Sequence, residues 1–262
     1  EPMTGTAPGR IHETPLGMLN AIGLENVGVE GFIQEKLPLL EECRTHIIAN
    51  ILGRSIEEFK LIARRLDALT KVSALELNIS CPNLKEGGIE FGHDPRMTFA
   101  VTKAVREATT KPIWVKLSPN VTDIQPFGRA CEEAGADAIS LVNTFVGMSI
   151  DVEKLRPMLS NTTGGLSGPA IRPLALRMVH EVNNAVSIPI IGIGGISTAR
   201  DALEFLVAGA CAVQIGTANF YDPTAAIKVI KGLQEYCSEH RIKNISQIVG
   251  SLKIREGQFF YY

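Results

Sequence analysis

Residues 74–88 read ALELNISCPNLKEGG. The first part, residues 74–79, is a short apolar run without helical period, the pattern of a buried parallel strand. Asn78, Cys81 and Asn83 follow in quick succession at its end, while Pro82 forbids helix continuation and Gly87-Gly88 loosens what comes after. A thiol thus stands between amides at the mouth of a strand. Two amides can hold a planar polar ligand by paired donors and acceptors, and a thiol beside it exchanges a proton once its pKa is suitable. The plainer alternative is a cysteine buried in a Pro-Gly loop. The position of Asn-x-x-Cys-Pro-Asn, where parallel sheets carry their chemistry, favours a site.

Outward from this stretch, one unit recurs: about five apolar residues, a polar residue or glycine at their C-terminal end, then an amphipathic helix. The spacing predicts strands over 47–51, 74–79, 113–117, 138–142, 188–193 and 212–215, with helices near 56–69, 95–108, 124–134, 173–183, 198–208 and 223–237. Residues 134–139 (AGADAI) and 208–213 (AGACAV) echo each other before two of the strands. Repeated βα units with such joints point to a parallel barrel. Residues 1–31, punctuated by glycine and proline, read as an irregular excursion with short extended pieces, and 32–40 as a helix. Within the excursion, Asn20-Ala21-Ile22-Gly23-Leu24 reads either as a surface turn or as an ordered loop serving the site. Six strands fall short of the eight of a closed (β/α)8 barrel. Either the sheet is open and doubly wound, or the first two strands lie upstream of Glu1.

With 262 residues, 45% of them hydrophobic, the chain can bury one large core. Its 26 basic and 28 acidic residues are spread along it, leaving a net charge of −2 and no footprint for nucleic acid. Its apolar runs are too short and too rich in glycine and proline to span a bilayer. Cysteines at 43, 81, 131, 211 and 237 have neither a disulfide framework nor zinc or iron–sulfur spacing, so a reducing cytoplasm is expected. The four other than Cys81 read as small hydrophobes in or beside helices.

The predicted strand ends carry Asn50, Asn78 with Cys81, Lys116, Asn143 with Thr144, Gly194-Gly195 and Gly216-Thr217. Bare N–H groups at the last two pairs, with Ser197 and Thr198 opening a helix, suggest a cradle for phosphate, although the glycines would equally permit tight turns. Residues 192–197 (GIGGIS) lack the last glycine of a dinucleotide fingerprint. Lys116 closes an otherwise apolar strand and needs an anionic partner, which a cofactor that becomes negative on reduction would supply, unless it reaches solvent.

These motifs, together with residues 85–88 (KEGG), 115–119 (VKLSP), Gly147-Met148, Asp151 and 164–170 (GGLSGPA), closely resemble the class 1 dihydroorotate dehydrogenases, most of all the class 1B catalytic subunit. The resemblance implies an FMN-binding (β/α)8 barrel over residues 1–252, with its first two strands upstream, and a separate C-terminal tail over 253–262. It implies a cytoplasmic enzyme of pyrimidine biosynthesis that oxidises dihydroorotate to orotate. Cys81 would remove the C5 proton while hydride leaves C6. Asn20, Ala21, Ile22, Gly23, Leu24, Asn78, Asn83, Asn143 and Thr144 would hold the pyrimidine. Asn50, Asn78, Lys116, Val142, Gly168, Gly194, Gly195, Gly216 and Thr217 would hold FMN. The implied partner is a subunit with FAD and an iron–sulfur cluster that passes electrons to NAD, in a heterotetramer around a homodimer core, without nucleic acid or membrane. A dihydropyrimidine dehydrogenase-like domain and a non-catalytic incomplete barrel are the alternatives.

Overall fold

The computed structural model describes residues 1–80 and 91–254. Within them the strands are β1 (Ile11–Thr14), β2 (Gly17–Asn20), β3 (Ile47–Ile51), β4 (Val72–Asn78), β5 (Ile113–Lys116), β6 (Ala138–Leu141), β7 (Phe145–Gly147), β8 (Ile150–Asp151), β9 (Arg156–Pro157), β10 (Gly164–Ser167), β11 (Ile190–Ile193) and β12 (Ala210–Gln214). The helices are α1 (Gly28–Gly31), α2 (Ile56–Asp67), α3 (Pro95–Arg106), α4 (Gln125–Glu133), α5 (Arg172–Asn183), α6 (Ala199–Ala208), α7 (Ala218–Tyr221) and α8 (Ala225–Glu239).

Three of the helices that follow a parallel strand, α2, α3 and α6, open on a side-chain cap. Ser55 accepts a hydrogen bond from the Glu58 amide to open α2, and Asp94 accepts from the Arg96 amide to open α3 with Pro95 at its first position. Thr198 and Asp201 form a reciprocal capping box at α6. The six predicted βα strands all form, within a residue or two of the expected bounds, and pair in parallel in the order β12-β11-β6-β5-β4-β3.

The two faces of this sheet differ in chemistry. Leu75, Leu77, Ile113, Val115, Ile139 and Leu141 are fully buried and form one core with helix residues that include Phe59, Val101, Val105, Val179 and Phe205. Their neighbours in sequence, Glu76, Lys116 and Ser140, point to the opposite face by the two-residue period of a strand and meet one another there. That face is concave. β4 and β12 are four steps apart in the sheet, about 19 Å if it were flat, yet Gln214 on β12 donates to the Glu76 carboxylate on β4 at 2.7 Å. The sheet is therefore curled into an open part of a barrel, and the doubly wound alternative is set aside.

A second sheet, antiparallel in the order β1-β2-β10-β7, was not anticipated. The excursion over residues 1–31 contains the β1–β2 hairpin, and β10 completes the sheet by pairing Gly165 with Asn20. The expected helix over 32–40 is divided. Leu37 N–H donates to the Phe32 carbonyl at 2.8 Å, a π turn over Phe32–Lys36, and Pro38, which has no N–H, begins a separate 3-10 turn over Pro38–Leu40. Cys131 is buried in α4 as expected, whereas Cys211 is exposed on β12 and Cys43 is exposed as well, so neither is a core hydrophobe.

Phe59, wholly buried on α2, meets Phe91 edge to face with ring centroids 5.7 Å apart. Phe59→Ala should lower unfolding stability by about 3–5 kcal/mol, the usual range for emptying such a site. Denaturant titration checks this; a loss below about 1 kcal/mol would mean that α2 is not anchored through this ring.

Candidate active site

The C-terminal ends of the parallel strands open into a cleft of about 250 Å³, roofed by the antiparallel sheet. Among the residues expected at a site, Asn20, Ile22, Lys116, Val142, Asn143 and Thr144 line it, as do Gly168, Gly194, Gly195, Gly216 and Thr217. Residues from opposite ends of the sequence thus share one wall. Asn20 reaches it from the roof, where its side-chain amide donates to the Gly165 carbonyl at 3.3 Å.

Asn78 is one step removed from the cleft: its side-chain oxygen accepts from the Asn143 amide at 3.2 Å, and Asn143 in turn accepts from the Thr144 N–H at 2.8 Å. Ala21, Gly23 and Leu24 are not part of the lining. Ala21 and Ile22 are pinned by the N-terminal segment, the Ala21 N–H donating to the Arg10 carbonyl and the Thr6 N–H to the Ile22 carbonyl. Asn50 also stands apart, its amide donating to Glu76 at 2.6 Å. Cys81 and Asn83 lie outside the described residues.

Glu76 went unnoticed within the apolar run and is the focus of the concave face. The residue is 4% exposed, and its carboxylate accepts from Asn50 at 2.6 Å, Ser140 at 2.6 Å and Gln214 at 2.7 Å, with the Lys116 ammonium 3.7 Å away. Burial pushes its carboxyl upward, but the Lys116 charge and the hydrogen bonds from Ser140, Gln214 and Asn50 together outweigh burial and hold it below the usual glutamate value. The anionic partner that Lys116 requires is therefore supplied by the chain itself. The signal available in the sequence was an acid between buried neighbours, which must have partners to be tolerated.

The far end of the cleft is built from backbone. Gly195 has φ +71°, and a Cβ there would come within 2.6 Å of the Gly168 carbonyl, so only glycine lets these two turns meet. Gly216 has nothing within 4 Å of where its Cβ would stand, which leaves open space at the cleft wall. Among the described residues, the N–H groups of Gly194, Gly195, Gly216 and Thr217 donate to no protein acceptor. The α6 N-terminus contributes less than expected, because the Asp201 carboxylate already takes the N–H groups of Ser197 at 3.0 Å and Thr198 at 2.9 Å and pairs with Arg172. Apolar Met18, Val142, Ile171 and Ile193 complete the walls. Sequence reasoning also missed Asn120, which ties the loop after β6 by donating to the Thr144 carbonyl and accepting from the Val146 N–H, and Phe220 and Tyr221 at the rim.

The family model for dihydroorotate dehydrogenase matches residues 1–237. The chain belongs to the dihydroorotate dehydrogenase family. Similar proteins named dihydroorotate dehydrogenase B (NAD(+)), catalytic subunit, include one from Geotalea uraniireducens, 56% identical over 96% of this chain and 82% of that protein. Others come from Citrifermentans bemidjiense and Geobacter sulfurreducens, each 54% identical over 97% of this chain and 83% of the relative. The class 1B resemblance of the motifs is thereby borne out, and the curled six-stranded sheet is part of this dihydroorotate dehydrogenase family's (β/α)8 barrel. Membership of the family implies a flavin cofactor. No helix among the described residues is long and apolar enough to cross a membrane.

Since Glu76 titrates below its unfolded value of 4.5, the stability it contributes is present above that pH and is lost as the pH falls through its lowered native value. Between about pH 6 and about pH 3, wild type should therefore lose stability relative to Glu76→Gln in urea titrations. A difference that does not change with pH would exclude an ionised carboxylate.

Proposed function

We propose that this dihydroorotate dehydrogenase holds FMN in the cleft, with Cys81 as the base. The observation that carries the reading is the pairing of two kinds of wall: unspent backbone N–H groups at Gly194, Gly195, Gly216 and Thr217 at one end, and side-chain amides and Lys116 at the other. A phosphate needs the first kind, since backbone N–H donors stabilise its charge by hydrogen bonding. Apolar walls between the two suit a flat ring. The residues present therefore fit FMN, with Lys116 and Val142 toward the ring and Gly168 beside the phosphate turn; Asn50 and Asn78 are assigned to FMN on the motif alone.

When bound, FMN supplies a two-electron hydride acceptor. The chain's own work is to bind, orient and deprotonate dihydroorotate. Asn20, Asn143 and Thr144 present amides and a hydroxyl to the pyrimidine, and Asn78 orients Asn143 by its hydrogen bond. Ala21 to Leu24 and Asn83 belong to the same substrate assignment. Cys81 takes the C5 proton as the C6 hydrogen departs with its electron pair, which leaves the double bond of orotate. A free thiol with pKa of about 8.5 is a weak base at neutral pH, so the reaction should quicken as the pH rises.

The names of the relatives point to NAD as the final acceptor and to a second subunit. On this reading a partner with FAD and an iron–sulfur cluster carries electrons from FMN to NAD, in a heterotetramer around a homodimer of this chain, in the cytoplasm. Residues 1–252 are the catalytic unit and 253–262 a tail.

Cys81→Ala should retain FMN yet lose nearly all flavin reduction by dihydroorotate, with Cys81→Ser slow and pH-dependent. Stopped-flow absorbance decides, and near-normal reduction in the alanine variant would remove Cys81 from the mechanism. Gly216→Val would fill the open cradle at a backbone position free of strain. It should weaken FMN binding at least about tenfold while melting close to wild type, because a crowded ligand site costs binding and not folding. Unchanged affinity in a fluorescence titration would move the phosphate elsewhere. Steady-state assays with NAD should show turnover only when the electron-transfer subunit is added.

A further inference from the structure

Five strands aim one polar side chain each at a single point inside the sheet: Asn50 from β3, Glu76 from β4, Lys116 from β5, Ser140 from β6 and Gln214 from β12. Of these, Lys116 alone lines the cleft; its side chain is 17% exposed, against 5% for that of Glu76. The Glu76 carboxylate, with three hydrogen bonds at 2.6–2.7 Å, is fixed in place, whereas the ammonium is 3.7 Å from it, beyond a tight hydrogen bond. Lys116 is therefore only half claimed by its counter-ion. It leans on Glu76 and keeps donors for whatever anionic group enters from the cleft side.

Resting on the proposed FMN site, we infer that Glu76 is a positioning residue that tunes the cofactor: it holds Lys116 at the cleft floor and offsets most of its charge, which sets the flavin's reduction potential. A flavin gains negative charge on reduction, so an uncompensated cation beside it favours the reduced form. In the native arrangement the opposing carboxylate, itself excluded from water and hence poorly screened, cancels much of that effect. Glu76 thus keeps the potential low enough for electrons to leave again toward an acceptor.

Glu76→Gln tests the charge with little change of shape. One amide oxygen can still accept from Asn50 and Lys116, while Ser140 can rotate to accept and Gln214 can turn its own amide over. In the full-length protein carrying flavin, equilibrated with a reference dye under anaerobic conditions, Glu76→Gln should raise the two-electron potential by about 30 mV, a tenfold change in equilibrium constant. Lys116→Met should lower it by a similar amount, and the double variant should return most of the way to wild type. Ser140→Ala, which keeps both charges, should leave the potential where it was. Opposite shifts that cancel are a signature of charge that a packing defect does not produce.

A potential that is unchanged or lowered in Glu76→Gln, shifts of the same sign in both single variants, an equal shift in Ser140→Ala, or loss of flavin from Glu76→Gln alone would each overturn the inference. A wild-type protein that takes up no flavin would instead overturn the proposed function, and this inference with it.

Discussion

A carboxylate buried inside a barrel is the constraint from which much of the remaining design follows. Removing one from water costs several kcal/mol unless donors replace the solvent. Glu76 meets four such groups, drawn from four other strands. Each of those strands must then carry a polar residue at one inward position, and the sheet must curl far enough to bring β12 to β4. A hydrophobic residue at 140 or 214 would leave the acid short of partners, so the polar inner face and the apolar outer face are parts of one solution. The arrangement also separates stability from chemistry. Packing against the helices holds the strands together, and the inner face can be given over to polar groups.

The fold was legible to a considerable extent because parallel strands buried on both faces are short apolar runs, and the helices between them have periodic apolar faces, three of them opening on a Ser, Asp or Thr cap. What escaped notice has a common cause. The roof pairs β2 with β10 through Asn20 and Gly165, and no local pattern in either segment names the other. Glycine at 164 and 165 looks like a turn when it is in fact a strand squeezed between neighbours: a Cβ on Gly165 would meet Thr144 Oγ1 at 2.3 Å. The residues lining the cleft were largely found, because strand ends are a topological location that a repeat reveals. Glu76, Ser140 and Gln214 were not, since their importance lies in a meeting of distant strands. Asp201 was missed for the converse reason: a capping acid serves its helix, and in doing so removes donors that a ligand might have used.

The cleft therefore has an uneven electrostatic character. At the glycine end, four backbone N–H groups have no protein acceptor among the described residues, and the Asp201 carboxylate is engaged by Arg172, Ser197 and Thr198. At the strand end a fixed acid faces a partly free lysine. The two ends of the cleft thus offer an anion different surroundings.

The roof has a consequence for how such a chain is made. Asn20 and Gly165 are separated by 145 residues, so during synthesis the β1–β2 hairpin leaves the ribosome on the order of ten seconds before the strand that will cover its edge. Through that interval the β2 edge that β10 will cover stays unpaired, with Leu16 at the exposed turn, and an unpaired edge is an invitation to the wrong neighbour. The parallel units, whose contacts are closer in sequence, can assemble meanwhile. The cleft is thus completed late, and a nascent chain interrupted before β10 would have much of its core but no roof.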